Sequence, residues 1–563
     1  MLLLSTAFRE QWSRLHANCS WATVFQSPAF ATVWYRVYAQ RYEPVVVYRS
    51  QLSGTLSGLL LLAREHASGQ LVNVGTHHAE YHTWLASADW ARTFPIEAIA
   101  ALRALTLRGK LSFLFLAPGT PLVWTSEAER LGLRLSVQWN RRGLMQLGPS
   151  GDVLTSLRKS GNKSRLARLR RLGSVALRQL HTQEELEAVF PVVADQSDVR
   201  QGGRSGTLPF RADPLKKPFY LACMAEPGLV HATVLEAGDE VLGAHVTFDD
   251  RIPTLGLITY APQHGAHSPG KLLMLLLGKL LGEQGYSEFD MTPGRPYKER
   301  FATRFEPVAA LDVFLDDGSY LRHRSQRFAA DIGRQIESAT GWNLTAHIQR
   351  ARRATERLWR TDLRRGISVI ARRVRVATLS VREFRNYEYS LGPDADMGGA
   401  RRLRVNCLRD LLCYQPASAG SPSLVEFLGT TIRRMEDGLL VFTYAEDELL
   451  LHYSWLTQSV TQVGSEFGHA IPLREPSSVL WDDFTHPVAR GRGLHQESLR
   501  MRLSYAADHG MARVAVIGVR ADNGPSRHNI EKAGFQYAGS AWISTRLGRS
   551  RRWVTWVTPG QAG

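Results

Sequence analysis

The chain has 563 residues, of which 44% are hydrophobic and 21% charged. That length suits about two to four domains of ordinary size, and the composition excludes a mostly disordered chain, a collagen-like fibre and a disulfide-stapled miniprotein. The net charge of +17 is uneven: the stretch 320–386 holds 16 Arg against 5 acids, so no sequence-specific DNA binding is expected from the whole chain.

The cysteines Cys19, Cys223, Cys407 and Cys413 form no CxxC pair, which fits a reducing cytoplasm. The longest apolar runs, Leu59–Ala63 and Leu272–Leu277, fall far short of the roughly 20 residues of a spanning helix. Met1–Ala7 lacks a basic start and is cut off by Arg9 and Glu10, so it is not read as a signal peptide.

In chain order, Pro44–Tyr48 and Leu56–Leu62 read as strands and Pro95–Leu107 as helical. A Gly-containing turn at 148–151 marks a boundary near 150. The run Leu154–Leu172 reads as one basic helix with seven cations and no acid. Strands follow at Leu229–Leu235, Glu240–Asp249 and Thr254–Tyr260, then a helix at Lys271–Glu283 and a strand at Ser287–Met291. Residues 318–399 read as an Arg-rich helical connector and loop. Trp359, Leu363, Ile367, Ile370 and Val374 make one helical stripe there, expected to pack on a neighbouring domain or to meet an anionic membrane face or polymer. Beyond it, 400–558 reads as helix Ser423–Glu436, a hairpin across 445–448, strand Ser478–Phe484, helix Leu494–Asp508, strand Ala512–Val519, helix Pro525–Ala533 and two closing strands.

Two motifs carry chemistry in this last block. Arg490, Gly491, Arg492, Gly493 and Leu494 join a strand to a helix. Such a glycine loop converges backbone N–H groups at a helix N-terminus and suits a pyrophosphate. About 30 residues on, Asn523 and Ser526 open a helix after a strand, positioned to cap it or touch a ligand. Asp482 and Asp483 lie on the strand before the glycine loop; alternation sends them to opposite faces, with Asp483 ahead of Asp482 as candidate base.

In the first block, Gly270 and Lys271 open a helix whose free N–H groups could hold phosphates. Asp290 ends a strand, where a carboxylate could take a proton, and Tyr297 and Lys298 follow. His77, His78, Glu80 and His82 tempt a metal reading, but adjacent histidines without a second ligand cluster favour a substrate loop or structural histidines. His78, Glu80, Tyr81, Tyr297 and Lys298 are therefore candidate substrate residues, and no metal is expected.

The segment 400–558 resembles the GNAT acetyltransferase superfamily through Val488–Gly493 and Asn523–Phe535. The resemblance implies acetyl-CoA as co-substrate and an oxyanion contact from a splayed strand. Two residues depart from it: Val488 opens the loop in place of Arg or Gln, and Ile530 stands where many members carry a Tyr acid. Residues 10–317 look like CelD-type acetyltransferases of bacterial cellulose and exopolysaccharide synthesis, on Trp34–Tyr35, Gly75–Leu85, Ser268–Lys271 and Asp290–Phe301. Those are distantly similar to the Fem aminoacyltransferases, which hold two GNAT-like subdomains. The expected fold is α/β, with tandem GNAT-like domains of mixed, mostly antiparallel splayed sheets. The expected divisions are 1–150 and 151–317 (two halves of one unit), 318–399 and 400–558. The expected activity is transfer of an acyl group, acetyl first, from CoA to a small amine or sugar. Rival readings are aminoacyl transfer from aminoacyl-tRNA, or a non-catalytic module of a polysaccharide-synthesis complex. The expected place is the cytoplasm, with peripheral contact at the inner membrane face through 318–390.

Overall fold

A computed structural model describes residues 2–52, 54–105, 109–148, 151–294, 296–340, 379–392, 402–418, 420–459, 462–464, 470–473, 475–546 and 549–556. The chain forms two compact units. The first takes Met1–Ser197, Pro209–Ala261 and His267–Leu344; the second takes Asp198–Leu208, Pro262–Ala266 and Thr345–Gly563.

The strands of the first unit are β1 (Tyr42–Ser50), β2 (Leu56–Glu65), β3 (Leu71–Asn73), β4 (Leu85–Ala86), β5 (Lys110–Phe113), β6 (Arg134–Gln146), β7 (Val175–Leu180), β8 (Val230–Ala237), β9 (Glu240–Phe248), β10 (Leu257–Tyr260), β11 (Glu288–Asp290) and β12 (Arg304–Phe314). They make three sheets: β1–β4, the series β10-β9-β8-β7, and the series β11-β6-β12-β5. The apolar run of β2 is buried along Leu56–Ala63, as a strand covered on both faces should be.

The third sheet takes strands from both sides of residue 150. Strands β11 and β12 come from the expected second half, yet β12 pairs with β6 over eleven positions, from Arg304↔Leu144 to Phe314↔Arg134. The two halves therefore share a sheet. A long antiparallel register outweighs sequence proximity in choosing a partner.

The second and third sheets meet at one parallel bridge, Thr254↔Asp290. The Asp290 N–H donates to the Pro253 carbonyl at 2.9 Å and the Leu255 N–H to the Asp290 carbonyl at 2.8 Å. Beyond that point the chain paths part, because β10 pairs with β9 and β11 with β6. The result is a fork. After β10 comes helix Pro269–Glu283, whose Leu272, Leu273, Met274, Leu277 and Leu281 are buried.

The basic run 154–172 is two helices, Val153–Arg158 and Ser160–Leu169, and not one. Lys159 between them is non-helical, at φ −57° and ψ 136°, next to the poor helix formers Ser160 and Gly161. The Asn162 side chain donates to the Ser156 carbonyl at 2.7 Å and closes the first helix.

The second unit adds β13 (Leu379–Ser390), β14 (Arg404–Val405), β15 (Leu440–Glu446), β16 (Leu449–Ser459), β17 (Gln462–Gly464), β18 (Ala470–Pro472), β19 (Ser477–Thr485), β20 (Val514–Arg520), β21 (Gln536–Arg546) and β22 (Arg549–Trp556). Eight of these form one sheet in the order β14-β15-β16-β19-β20-β13-β21-β22. The segment 318–399, expected as a helical connector and loop, is helical at its described start and extended at 379–390. Its start is helix Asp317–Thr340, and 379–390 is a strand hydrogen-bonded between β20 and β21. The stripe Trp359–Val374 lies outside the described residues. Strands β19 and β20 run parallel from Ser477↔Val514 to Leu480↔Ile517 and are unpaired beyond it, a second fork.

Candidate functional site

At the first fork, Asp290 is 1% exposed and fully engaged. Its Oδ2 accepts from the Tyr81 hydroxyl at 2.8 Å and from Arg142 Nη1 at 2.6 Å; its Oδ1 accepts from the Thr292 N–H at 2.7 Å. Arg142 also grips Glu306, with Nη2 2.6 Å from Oε2. Burial works against the Arg142 charge, but Asp290, Tyr81 and Glu306 raise its pKa above the usual value. The Tyr81 phenol is held well above its ordinary pKa by burial and then by Asp290. A carboxylate with these three donors orients its neighbours.

Glu80, one residue before Tyr81, is different. It is partly exposed, and no side-chain hydrogen bond or ion pair holds it among the described residues. Burial pushes its carboxyl up to about 7, with Lys298 pulling it down, Asp290 pushing it up and Lys216 pulling it down. Lys298 is moored: its Nζ donates to Thr292 Oγ1 at 2.6 Å, and burial lowers its pKa against the pull of Glu80 and Asp290. Tyr297 packs against the Phe289–Phe301 core.

His78 is buried, its ring 4.4 Å from Phe219. Its Nε2 lies 2.8 Å from the Tyr38 hydroxyl, which donates to Asp213 Oδ2 at 2.8 Å. Since that hydroxyl proton goes to Asp213, His78 donates through Nε2. This is a structural chain at the edge of the site. Among the described residues no three His, Cys, Asp or Glu side chains are grouped to hold a metal ion. Three non-glycine residues with left-handed backbone sit near this fork: His77 (φ 67°), Ser268 (φ 53°) and Thr292 (φ 53°). Such conformations cost about 1–3 kcal/mol each and persist where surrounding structure holds them.

Ser268 is the N-cap of helix Pro269–Glu283, without a side-chain cap bond. Pro269 has no N–H and the Lys271 N–H donates to the Ser268 carbonyl at 3.0 Å, so among the described residues Gly270 is left to offer an N–H at this helix start. Lys271 stands in its first turn, and burial together with repulsion from Arg165, Arg300 and Lys159 lowers its pKa. None of these four cations has an ion-pair partner among the described residues. Crowded unpaired cations at a helix N-terminus fit the pyrophosphate of an acyl-CoA. Gly270 serves packing there: an added Cβ would lie 2.9 Å from the Tyr260 ring.

At the second fork both candidate bases are paired. Asp482 sits at φ 50°, at an irregularity in the β16–β19 register, and binds Arg434. Asp483 binds Arg502 through both oxygens. Arg502 is completely buried and also donates to the Trp455 carbonyl at 3.0 Å. His495 Nε2 lies 3.7 Å from Asp483, and burial lowers that imidazole's pKa. The glycine loop is open: Gly491 and Gly493 have φ 81° and 78°, and a Cβ on either would meet nothing within 4 Å. They serve the turn itself. Arg490 is exposed, Arg492 is paired with Glu446 at 2.8 Å, and Leu494 is buried at the helix start. Asn523 Oδ1 accepts from the Ser526 N–H at 3.3 Å, so these two cap helix Gly524–Lys532. Ile530 is fully buried in the core with Leu499, Leu503 and Phe535.

The sequence reading missed Arg142, Arg502 and Arg434. Each shares its element with other arginines, Arg141 beside Arg142, Arg433 beside Arg434 and Arg500 near Arg502, so no local signal marked it. Tyr38 carried no signal beyond its residue type, and Asp213 stood out only within the run Asp213–Lys216 that resembles CelD-type proteins.

Residues 156–299 match the family described as Acetyltransferase (GNAT) domain, a stretch that holds β7–β11 and the first fork. No curated protein matches the chain. Among solved structures, L-PGS from Bacillus licheniformis is similar at 13% identity and TM-score 0.33, over 51% of this chain and 92% of that one. An acetyltransferase from the GNAT family of Colwellia psychrerythraea is similar at 11% identity and TM-score 0.22, over 66% and 98%. A GCN5-related N-acetyltransferase from Kribbella flavida is similar at 15% and TM-score 0.26, over 50% and 93%. Likenesses that distant say nothing of activity. The mixed α/β architecture, with a splayed parallel pair in each unit, is that of tandem GNAT-like domains.

Proposed function

We propose that the protein is an acyl-CoA-dependent acyltransferase whose chemistry takes place at the first fork. Two observations among the described residues support this: four cations without an ion-pair partner crowd the start of the helix after β10, and the unpartnered carboxyl of Glu80 feels Lys298 and Asp290 at the fork. The acyl donor supplies the activated thioester carbonyl. Lys271, Arg165, Arg300 and Lys159 hold its phosphates, and Gly270 lets the helix start close to Tyr260. Glu80 takes the proton of an attacking amine or sugar hydroxyl, so that the acceptor forms its bond to the acyl carbon as the C–S bond breaks and the thiolate leaves. Asp290 positions Tyr81 and Arg142; Lys298 tunes Glu80. Acetyl is the acyl group expected first, and bacterial polysaccharide or cell-envelope material is the setting that the CelD-like motifs suggest. The place is the cytoplasm, with the Arg-rich 318–390 touching an anionic membrane face or polymer.

One observation favours a second reading for the second unit. Asp482 and Asp483 are both ion-paired, and Ile530 is in the core. That unit then binds acyl-CoA through 490–494, Asn523 and Ser526 without turning it over.

Mass spectrometry of ligand co-purified with the full chain, followed by calorimetry with acetyl-CoA, tests the proposal. Wild type should bind, and Lys271→Glu should bind at least tenfold more weakly, by charge repulsion at the phosphates. Equal affinity in the variant contradicts the assignment.

A further inference from the structure

The sheet of the second unit ends in the hairpin β21–β22. Its register places Trp542↔Trp553, Ser544↔Arg551 and Arg546↔Arg549 as cross-strand pairs, so these six side chains share one face. The opposite face carries Ala541, Ile543, Val554 and Trp556, packed with Phe384 as a core. One face of the hairpin is covered and the other is open.

The open face has a definite chemistry. The Trp542 and Trp553 rings lie stacked, 6.0 Å apart and 5° from parallel, and Trp553 is 38% exposed. Tyr537 is 43% exposed, and its hydroxyl meets Ser540 Oγ at 2.7 Å on the same face. Arg546, Arg549 and Arg551 are exposed, with no ion pair among the described residues. The carboxylate beside them, Glu383 opposite Trp542, is already taken by Ser540 at 2.6 Å and Arg385 at 3.2 Å. Edge strands often carry charges to discourage pairing. That accounts for arginine on the edge, but not for an exposed Trp553 stacked on a half-buried Trp542 beside it.

The geometry points to this face as a docking surface for single-stranded nucleic acid, bound without sequence preference. Flat aromatic side chains on a sheet offer stacking surfaces to unpaired bases, and adjacent guanidinium groups meet the phosphates. Charge complementarity selects this occupant over a second copy of the chain, whose matching face would be equally cationic. A bilayer interface also accepts tryptophan beside arginine, but two parallel flat rings in line with three guanidinium groups match the alternation of bases and phosphates along a single strand.

The test uses the full chain and a fluorescent oligouridylate about 12 nucleotides long, within the site sizes of such sheets. Anisotropy should show binding whose log K falls on log salt with a slope of about −2, for three arginine contacts at roughly −0.7 each. Trp542→Ala with Trp553→Ala should weaken binding roughly tenfold or more at unchanged slope. Trp542→Phe with Trp553→Phe keeps flat rings and should retain most of the affinity. Arg549→Ala with Arg551→Ala should flatten the slope to about −0.7. Absence of binding at low salt overturns the proposal, as does binding indifferent to the double Trp→Ala change. Loss of binding to phosphatidylglycerol-rich vesicles in the Trp→Ala variant, with oligonucleotide binding intact, overturns it in favour of a membrane surface.

Discussion

In the first unit a carboxylate stands beside the fork without a partner; in the second, each carboxylate at the fork is held by a guanidinium. Both forks arise in the same way, from parallel strands that pair briefly and then take different neighbours. The backbone thus supplies the same opening twice, and the side chains decide what each can do. Glu80 can change its protonation near neutral pH. Asp483 is instead committed to the buried guanidinium of Arg502, a pair whose loss would leave an uncompensated charge.

The largest expected effect tests the two ion pairs. Arg142→Met leaves buried Asp290 without its cation, and Arg502→Met does the same to Asp483. Each should destabilise its own unit by about 3–5 kcal/mol, read as earlier loss of amide-exchange protection in that unit. A change below about 1 kcal/mol, the range of exposed pairs, would break the comparison by showing the pairs to be well solvated.

Next comes the proton on Glu80. Its carboxyl is raised from 4.5 to about 7, so the folded chain keeps a proton that the unfolded chain gives up. That contribution is fully present below about pH 4.5 and lost as pH rises through about 7, worth about 3 kcal/mol at most. Glu80→Gln should therefore stabilise the first unit at pH 8 and leave it nearly unchanged at pH 4. Thermal melts across this range give the answer; a difference that does not vary with pH would mean that Glu80 is not desolvated.

Donor binding comes third. Lys271→Ala should weaken acetyl-CoA binding about tenfold, or roughly 1.4 kcal/mol, with a loss that shrinks as salt rises. Arg490→Ala tests the second unit by the same titration. If it has the larger effect, the donor's main site has been assigned to the wrong fork.

The smallest effect is at Gly493. Its φ of 78° disfavours any side chain although space is free, so Gly493→Ala should cost about 1 kcal/mol and lower the second unit's melting temperature by roughly 2–4 °C.

How much of this could be read beforehand varied with the range of the signal. Helix Leu494–Asp508 is found at its expected bounds, because Gly493 and Gly510 punctuate it locally. The hairpin across 445–448 is likewise present, with Asp447 and Glu448 at positive φ. Partner choice was not legible: period-two patterning tells which face of β12 is buried, but not that β6 lies beside it. Strand 379–390 was hidden by its arginines, which continued the basic composition before it. The expected alternation of Asp482 and Asp483 overlooked the backbone irregularity at 482. Glu80 stood out in the sequence only as part of a histidine-rich run. Its character comes first from burial and then from Lys298 and Asp290, more than two hundred residues further along the chain, which no local pattern announces.

The central claim, that acyl transfer belongs to the first fork, is tested most directly by thiol release from acetyl-CoA. Wild type, Glu80→Gln and Asp483→Asn full-length chains would be compared between about pH 5.5 and 8.5, with a panel of amines and sugars as acceptors. The account expects wild-type turnover to rise through about pH 7 as Glu80 ionises. Glu80→Gln should lose on the order of a hundredfold in rate, together with that rise, while still binding acetyl-CoA. Asp483→Asn should keep both rate and profile. A Glu80→Gln chain with undiminished turnover, or an Asp483→Asn chain that alone loses it, would contradict the account and move the chemistry to the second unit.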